Sequence, residues 1–270
     1  MKRIYLEITD ACNLNCPFCT YEKGHSFMTL EEIDAYTDQI RPICEYLYLH
    51  ILGEPLLHPH FDEIMDILDR KSFKVQLVTN GTLLCHHPDI LQHVSLRKLS
   101  VSVHSVNHIS VEDKYFETLF DLIESENHPV IELRFYPSTA ESASVAAFKK
   151  DLIGRYGVKV TKRKDSFQLK ENVYLYYEEM FRWPDINDPI ISCEGTCHGG
   201  IDMIAINHDA DVTLCCLDPK AFNLLGNLKK DSLVDILNSE KYISLCKDLK
   251  DHRIRSELCA RCDYRTRFSS

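Results

Sequence analysis

Along the first 160 residues, apolar runs of strand character alternate with apolar positions spaced three and four apart. The strand-like runs are 4–8, 46–51, 74–78, 99–103, 131–136 and 158–160. Between them Leu30, Ile33, Thr37 and Ile40 mark a helix, opened by Thr29 with Glu32 three residues on, a capping box. Phe61, Ile64, Met65 and Leu68 mark a second helix, and Ile90, Leu91 and Val94 a short third. Phe116, Leu119, Phe120 and Ile123 mark a fourth, and Val145, Phe148 and Leu152 a fifth. Strand starts recur about every 30 residues, the length of a βα unit. Six strands and five helices fall short of an eight-unit barrel, which takes about 250 residues. The pattern therefore predicts an α/β fold, an open partial (β/α)6 barrel of the TIM type over residues 1–165. Right-handed crossovers put every strand's carboxyl end on one face, where barrels keep their active sites.

Residues 166–192 read as a connector whose Tyr174, Tyr176 and Tyr177 pack between domains. The remainder, 193–270, predicts a small domain: a hairpin from 202–206 and 211–217 turning at 207–210, helices near 232–238 and 242–250, and a terminal Cys259-Ala-Arg-Cys262.

Composition narrows the function. The net charge of −10 opposes the phosphate neutralisation that drives nucleic-acid binding, so no nucleic-acid partner is expected. Lys162, Arg163 and Lys164 read as a solvated strand end. The start, Met-Lys-Arg-Ile, lacks the apolar core of a signal peptide, and no run approaches the roughly 20 apolar residues of a membrane span. A cytoplasmic protein away from the membrane is expected. Twelve cysteines in such a chain call for metal.

Cys12, Cys16 and Cys19 follow the first apolar run as Cys-Asn-Leu-Asn-Cys-Pro-Phe-Cys. Three thiolates on one short loop can hold three irons of a [4Fe–4S] cube and leave the fourth open. Zinc with a further ligand, or disulfides, are the alternatives. The spacing Cys-x3-Cys-x2-Cys, with Phe18 just before the last cysteine, resembles the signature of the radical S-adenosylmethionine (radical SAM) enzymes. The resemblance implies two cofactors, the cluster and S-adenosylmethionine, and reductive cleavage to a 5′-deoxyadenosyl radical that abstracts a substrate hydrogen. It also implies an electron donor of the flavodoxin or ferredoxin type.

The last third holds Cys193, Cys197, Cys215, Cys216, Cys246, Cys259 and Cys262. A hairpin cysteine at each end, closed by a distant Cys-x2-Cys, can supply four thiolates to a cluster or a structural zinc. Cys197-His-Gly-Gly, the run 204–215, and Leu225-Gly-Asn with Leu233, Ile236, Asn238 and Ser239 look like the SPASM/twitch extension of radical SAM proteins. The chain carries no further cysteine after Cys262, so it resembles the shorter twitch form, with one auxiliary [4Fe–4S] cluster on Cys197, Cys215, Cys259 and Cys262. Cys193 could replace Cys197, and Cys216 could replace Cys215. Adjacent strand residues point oppositely, so only one of Cys215 and Cys216 can face the cluster. Cys44, Cys85 and Cys246 are expected to be idle thiols.

Gly53-Glu54-Pro55 follows strand two and resembles the family's GGEP motif, whose backbone meets the methionine amino group. Leu52 stands where the family has its first glycine. Phe18 matches the aromatic beside adenine. Thr79-Asn-Gly81 ends strand three. Alternation on strand four puts Ser100, Ser102 and His104 on one face. Ser102 resembles residues that touch the cofactor, and His104 could bind substrate, move a proton, or serve as a hydrogen-bonded barrel histidine. Glu132, Arg134 and Tyr136 share a face of strand five. Arg134 could hold a carboxylate of methionine or substrate bidentately, or pair structurally with Glu132 or Glu54.

A substrate radical that becomes an oxidised product must lose one more electron, and an auxiliary cluster can accept it. A net two-electron oxidation is expected. Peptide-modifying SPASM enzymes often add a leader-binding domain, and strand one begins here at residue 3. The expectation therefore tilts toward dehydrogenation of a small molecule, as in the twitch dehydrogenases of aminoglycoside biosynthesis, over peptide oxidation or cross-linking. A non-catalytic zinc or Fe–S module is the rival class.

Overall fold

The structure is a computed structural model that describes residues 1–19, 24–111, 113–137, 140–163, 165–180 and 182–268. Lys164 lies outside the described residues. In chain order the elements are β1 (Arg3–Leu6), α1 (Leu30–Ile40), β2 (Tyr46–Tyr48), α2 (Phe61–Arg70), β3 (Lys74–Thr79) and β4 (Leu96–Ser102). Then come α3 (Asp113–Glu124), β5 (Val130–Phe135), α4 (Ala143–Tyr156), β6 (Lys159–Val160), β7 (Ser166–Lys170) and β8 (Val173–Tyr177). The chain continues with β9 (Met203–Ile206), β10 (Asp211–Thr213), β11 (Gly226–Asn227), α5 (Leu233–Asn238), α6 (Glu240–Lys250) and α7 (Glu257–Arg261). The class is α/β with open parallel sheet, as the sequence pattern predicts.

Two compact units divide the chain: Met1–Cys12 with Pro17–Gly53 and Phe181–Ser270, and Asn13–Cys16 with Glu54–Met180. In the first, the strand order is β11-β10-β9-β1-β2. β1 runs parallel to both neighbours, with Ile4 opposite Leu47 of β2 and Ile204 of β9. β9 and β10 form the expected hairpin, Val212 opposite Ile206. α1 opens with the full capping box: Glu32 N–H donates to Thr29 Oγ1 at 3.1 Å, and Thr29 N–H to Glu32 Oε2 at 3.0 Å. Its buried face, Ile33, Tyr36, Thr37 and Ile40, repeats at helical spacing.

In the second unit the order is β3-β4-β5-β8-β7-β6, with β3, β4, β5 and β8 parallel. α2 buries Phe61, Ile64, Met65, Ile67 and Leu68. Each such side chain contributes roughly 1.5–3 kcal/mol relative to exposure.

Three sequence expectations are corrected. The sixth parallel strand is β8, within the stretch read as a connector; Val173 and Leu175 are buried, whereas Val160 is 81% exposed. β6 at 159–160 is a two-residue antiparallel edge on β7. Tyr174, Tyr176 and Tyr177 are therefore strand residues, Tyr176 opposite both Arg134 and Ser166. The third helix is replaced by short 3-10 turns at Leu84–His86 and Ile90–Gln92, separated by Pro88, which cannot donate to a continuous ladder. Strand four stops at Ser102, and Val103–Val106 turns as a 3-10 helix, so His104 leaves the alternation assumed for it.

Candidate active site and auxiliary metal centre

The three N-terminal cysteines sit on the loop that leaves β1. Each is partly exposed, as is Phe18 between them. In the first unit the loop's base is held by carboxylates. Glu7, almost fully buried at the end of an apolar strand, accepts from Leu52 N–H at 2.8 Å and faces His208 Nδ1 at 2.9 Å. His208 Nε2 meets Asp10, two residues before Cys12, at 3.2 Å. Burial alone would lower the His208 pKa, but the Glu7 hydrogen bond and the charges of Glu7, Asp10 and Asp209 raise it above the ordinary value. Gly53 is required sterically: a Cβ there would lie 2.0 Å from the Thr9 carbonyl oxygen. Backbone thus meets backbone between Thr9 and Gly53.

In the second unit Cys16's thiol donates to the Ser105 carbonyl at 3.8 Å. Asn13 Oδ1 accepts from Asn80 Nδ2 at 2.9 Å, and Asn13 Nδ2 donates to Thr82 Oγ1 at 2.8 Å. Asn80 is held by Glu54, whose buried carboxylate accepts from Asn80 N–H and Thr79 Oγ1, each at 2.7 Å, and from Leu56 N–H at 3.1 Å. Burial pushes the Glu54 pKa up, against the pull of those donors. Glu54 therefore holds Thr79 and Asn80 at the end of β3, while Pro55 opens a 3-10 turn.

Ser102 ends β4, nearly buried. His104 is buried, donates from Nδ1 to the Arg134 carbonyl at 3.1 Å, and stacks on Tyr136 at 3.7 Å between ring centroids. Burial lowers its pKa to about 3, so the ring is neutral at physiological pH. Arg134 pairs with Glu178, just beyond β8. Glu132 instead takes Lys98 Nζ at 3.1 Å and Ser100 Oγ at 3.2 Å. Neither structural partner named from the sequence for Arg134 is the one found.

The C-terminal thiols Cys197, Cys215, Cys216, Cys259 and Cys262 lie near one another. Burial raises the pKa of each; among their further causes, Cys216, Cys259 and Cys197 raise Cys215, Cys197 and Cys262 raise Cys259 to about 12, and Cys197 raises Cys216 and Cys262. Partly buried thiols gathered in this way suit a cation that displaces their protons. Cys193 is exposed. Burial brings the Cys216 thiol up to about 11, against the downward pull of nearby Tyr5 and Arg3. Cys246 donates to the Gly200 carbonyl and Cys44 to that of Tyr46.

Local sequence explains this convergence. Gly200 takes φ +72°, and a Cβ there would lie 2.7 Å from Leu214 Cδ2. Its N–H donates to the carbonyls of Met203 and Leu214, each at 2.8 Å, drawing the Cys197 turn onto the end of the β9–β10 hairpin that carries Cys215. Ser256 caps α7 and accepts from Cys259 N–H at 3.1 Å. Gly199 N–H donates to Cys197 Sγ at 3.4 Å, and Asn223 Nδ2 approaches Cys259 Sγ at 4.0 Å. Among the described residues, the one group of three Cys, His, Asp or Glu ligand atoms all within 4.8 Å is Asp66, Asp69 and His93, elsewhere in the chain.

The Glu7–His208–Asp10 tie, Asn13, Asn223 and the buried Arg265 escaped sequence reading. Glu7, a carboxylate inside an apolar run, was the one signal available; the others lie in ordinary polar turns.

The fold and these sites define the class. Residues 6–124 match the radical SAM superfamily and residues 197–263 match the SPASM iron–sulfur cluster-binding domain. The chain belongs to the radical SAM superfamily, as an enzyme with a C-terminal SPASM domain, and its cofactors are S-adenosylmethionine and [4Fe–4S] clusters. It is 25% identical over 267 residues to the antilisterial bacteriocin subtilosin biosynthesis protein AlbA of Bacillus subtilis, covering 86% of this chain and 58% of that protein. Over 116 residues it is 30% identical to GTP 3′,8-cyclase of Aquifex aeolicus, covering 40% of this chain and 36% of the cyclase. The chain thus spans less than two thirds of either relative. Among solved structures, BtrN in complex with AdoMet and 2-DOIA matches with TM-score 0.61 at 18% identity, over 97% of this chain and 93% of that one. Streptococcus suis SuiB bound to precursor peptide SuiA matches with TM-score 0.63 at 13% identity, over 96% and 69%. Among the described residues no helix is long and apolar enough to cross a membrane.

Proposed function

We propose that this chain is a radical oxidase that removes two hydrogens from its substrate, with Cys12, Cys16 and Cys19 holding the catalytic cluster and Cys197, Cys215, Cys259 and Cys262 an auxiliary one. The grouping of those four partly buried thiols carries the reading, because a second redox centre gives the substrate radical's electron a destination. When bound, the first cluster and adenosylmethionine supply a hydrogen-abstracting 5′-deoxyadenosyl radical, and the auxiliary cluster supplies a one-electron acceptor. The substrate loses a hydrogen atom, then one electron and one proton.

The chain's residues bind and orient. Gly53, Glu54 and Pro55 form the turn assigned to the methionine amino group, its shape fixed by Glu54's hold on Thr79 and Asn80. Phe18 is assigned to adenine and Ser102 to the ribose or methionine. Arg134, oriented by Glu178, keeps N–H groups for a carboxylate. His104, buried and neutral, fits a positioning role, fixing the Arg134 carbonyl and the Tyr136 ring. A flavodoxin or ferredoxin is the fitting electron donor.

The likeness to AlbA extends over most of this chain and favours a peptide substrate. Dehydrogenation of a small molecule is the second reading, favoured by the match to BtrN in nearly its whole length. Anaerobic turnover with adenosylmethionine and a reductant, followed by mass spectrometry, tests both: a product lighter by two hydrogens, formed with deoxyadenosine, is expected from one substrate class. A product that retains every substrate hydrogen contradicts the oxidase.

A further inference from the structure

Arg265 is the largest fully buried side chain of the described residues, only 2% exposed. Its Nε donates to the Cys259 carbonyl at 2.7 Å, Nη1 to the Glu194 carbonyl at 3.0 Å, and Nη2 to the Ser192 carbonyl. All three acceptors are backbone oxygens, and among the described residues no carboxylate pairs with it. A buried guanidinium without a counter-charge is costly, and neutral carbonyls satisfy its N–H groups but not its charge. The segments it grips are those that present Cys197 and Cys259. Four thiolates around a [4Fe–4S] core leave a net negative charge, one unit larger after reduction.

We propose that Arg265 and the auxiliary cluster are each other's counter-charge. The guanidinium clamps the Ser192–Glu194 segment and the Cys259 end of α7, and it favours the cluster's more negative, reduced state. It thereby raises the cluster's reduction potential and makes it a readier electron acceptor. This rests on the assignment of Cys197, Cys215, Cys259 and Cys262 to that cluster.

Full-length holoenzyme carrying Arg265→Lys or Arg265→Met tests it. Both variants lose the three-carbonyl fork, but lysine keeps the charge. Iron content is measured, and the auxiliary cluster's midpoint is followed by spectroscopic redox titration. The signal is assigned with the Cys12→Ala, Cys16→Ala, Cys19→Ala triple variant. Arg265→Met is expected to change the reduced-to-oxidised ratio at fixed potential at least tenfold toward oxidised, a shift of about 59 mV for one electron, while Arg265→Lys shifts it much less. Loss of auxiliary iron in the methionine variant alone also supports the proposal. Equal midpoints in the two variants, or loss of auxiliary iron in both, overturns it and leaves Arg265 as scaffold only. Failure of the underlying assignment looks different: unaltered protein would then hold only one cluster.

Discussion

His104 shows how burial decides a residue's chemistry. Its folded pKa, near 3, lies below the unfolded value near 6.5. Between those values the unfolded chain binds a proton that the folded chain does not, so stability is present above about pH 6.5 and declines as pH falls. The slope is roughly 1.4 kcal/mol per pH unit at most. Thermal melts of wild type and His104→Gln between roughly pH 7.5 and 5 check this. The stability difference between them should shrink as pH falls; a difference constant with pH contradicts a buried neutral ring. The sequence offered His104 as a proton carrier because it assumed strand alternation through residue 104, and the 3-10 turn at Val103–Val106 removed that premise. His208 has the opposite sign. Its raised pKa makes its tie to Glu7 and Asp10 strongest below the ordinary histidine value, and the contribution is lost as pH rises through the folded value. His208→Gln should therefore cost more stability near pH 6 than near pH 8, read by the same melts; an equal cost at both would contradict a charged His208.

At the scale of elements, most of the pattern was legible because periodicity and caps agree. α1 follows its capping box, α2 its apolar stripe, and the β9–β10 hairpin its turn residues. β8 was legible in principle: Val173, Leu175 and Tyr177 alternate with Tyr174 and Tyr176, and Asn172 turns the β7–β8 hairpin at φ 58°. Its aromatic run reads equally as interdomain packing, and the apolar 158–160 run, exposed in the structure, competes for the strand's place. The sequence reports that a segment is apolar, whereas pairing with β5 decides which segment is inside. Leu175→Ala should cost about 2–5 kcal/mol as a buried truncation, and Val160→Ala less than about 0.5 kcal/mol, measured by thermal unfolding. Comparable effects of the two would return 166–177 to the role of a connector.

At the scale of the whole molecule, the donors were readable and their supports were not. Cysteine spacing named Cys12, Cys16, Cys19 and the C-terminal set, because a cluster demands thiolates at fixed chain intervals. Choosing between Cys215 and Cys216 needs side-chain direction, which periodicity alone does not give. Arg265 carried no signal at all, since its role depends on three carbonyls distributed over residues 192, 194 and 259. In the proposed function, a radical initiator on the N-terminal cysteines works with an electron acceptor on the C-terminal set. The most direct measurement is iron content together with deoxyadenosine formation, on anaerobically purified wild type and the Cys12→Ala, Cys16→Ala, Cys19→Ala variant. Two cubes predict about eight irons in wild type and about four in the variant, with deoxyadenosine formed by the former and absent from the latter. Colourless wild-type protein holding stoichiometric zinc, or undiminished deoxyadenosine from the triple variant, would contradict it.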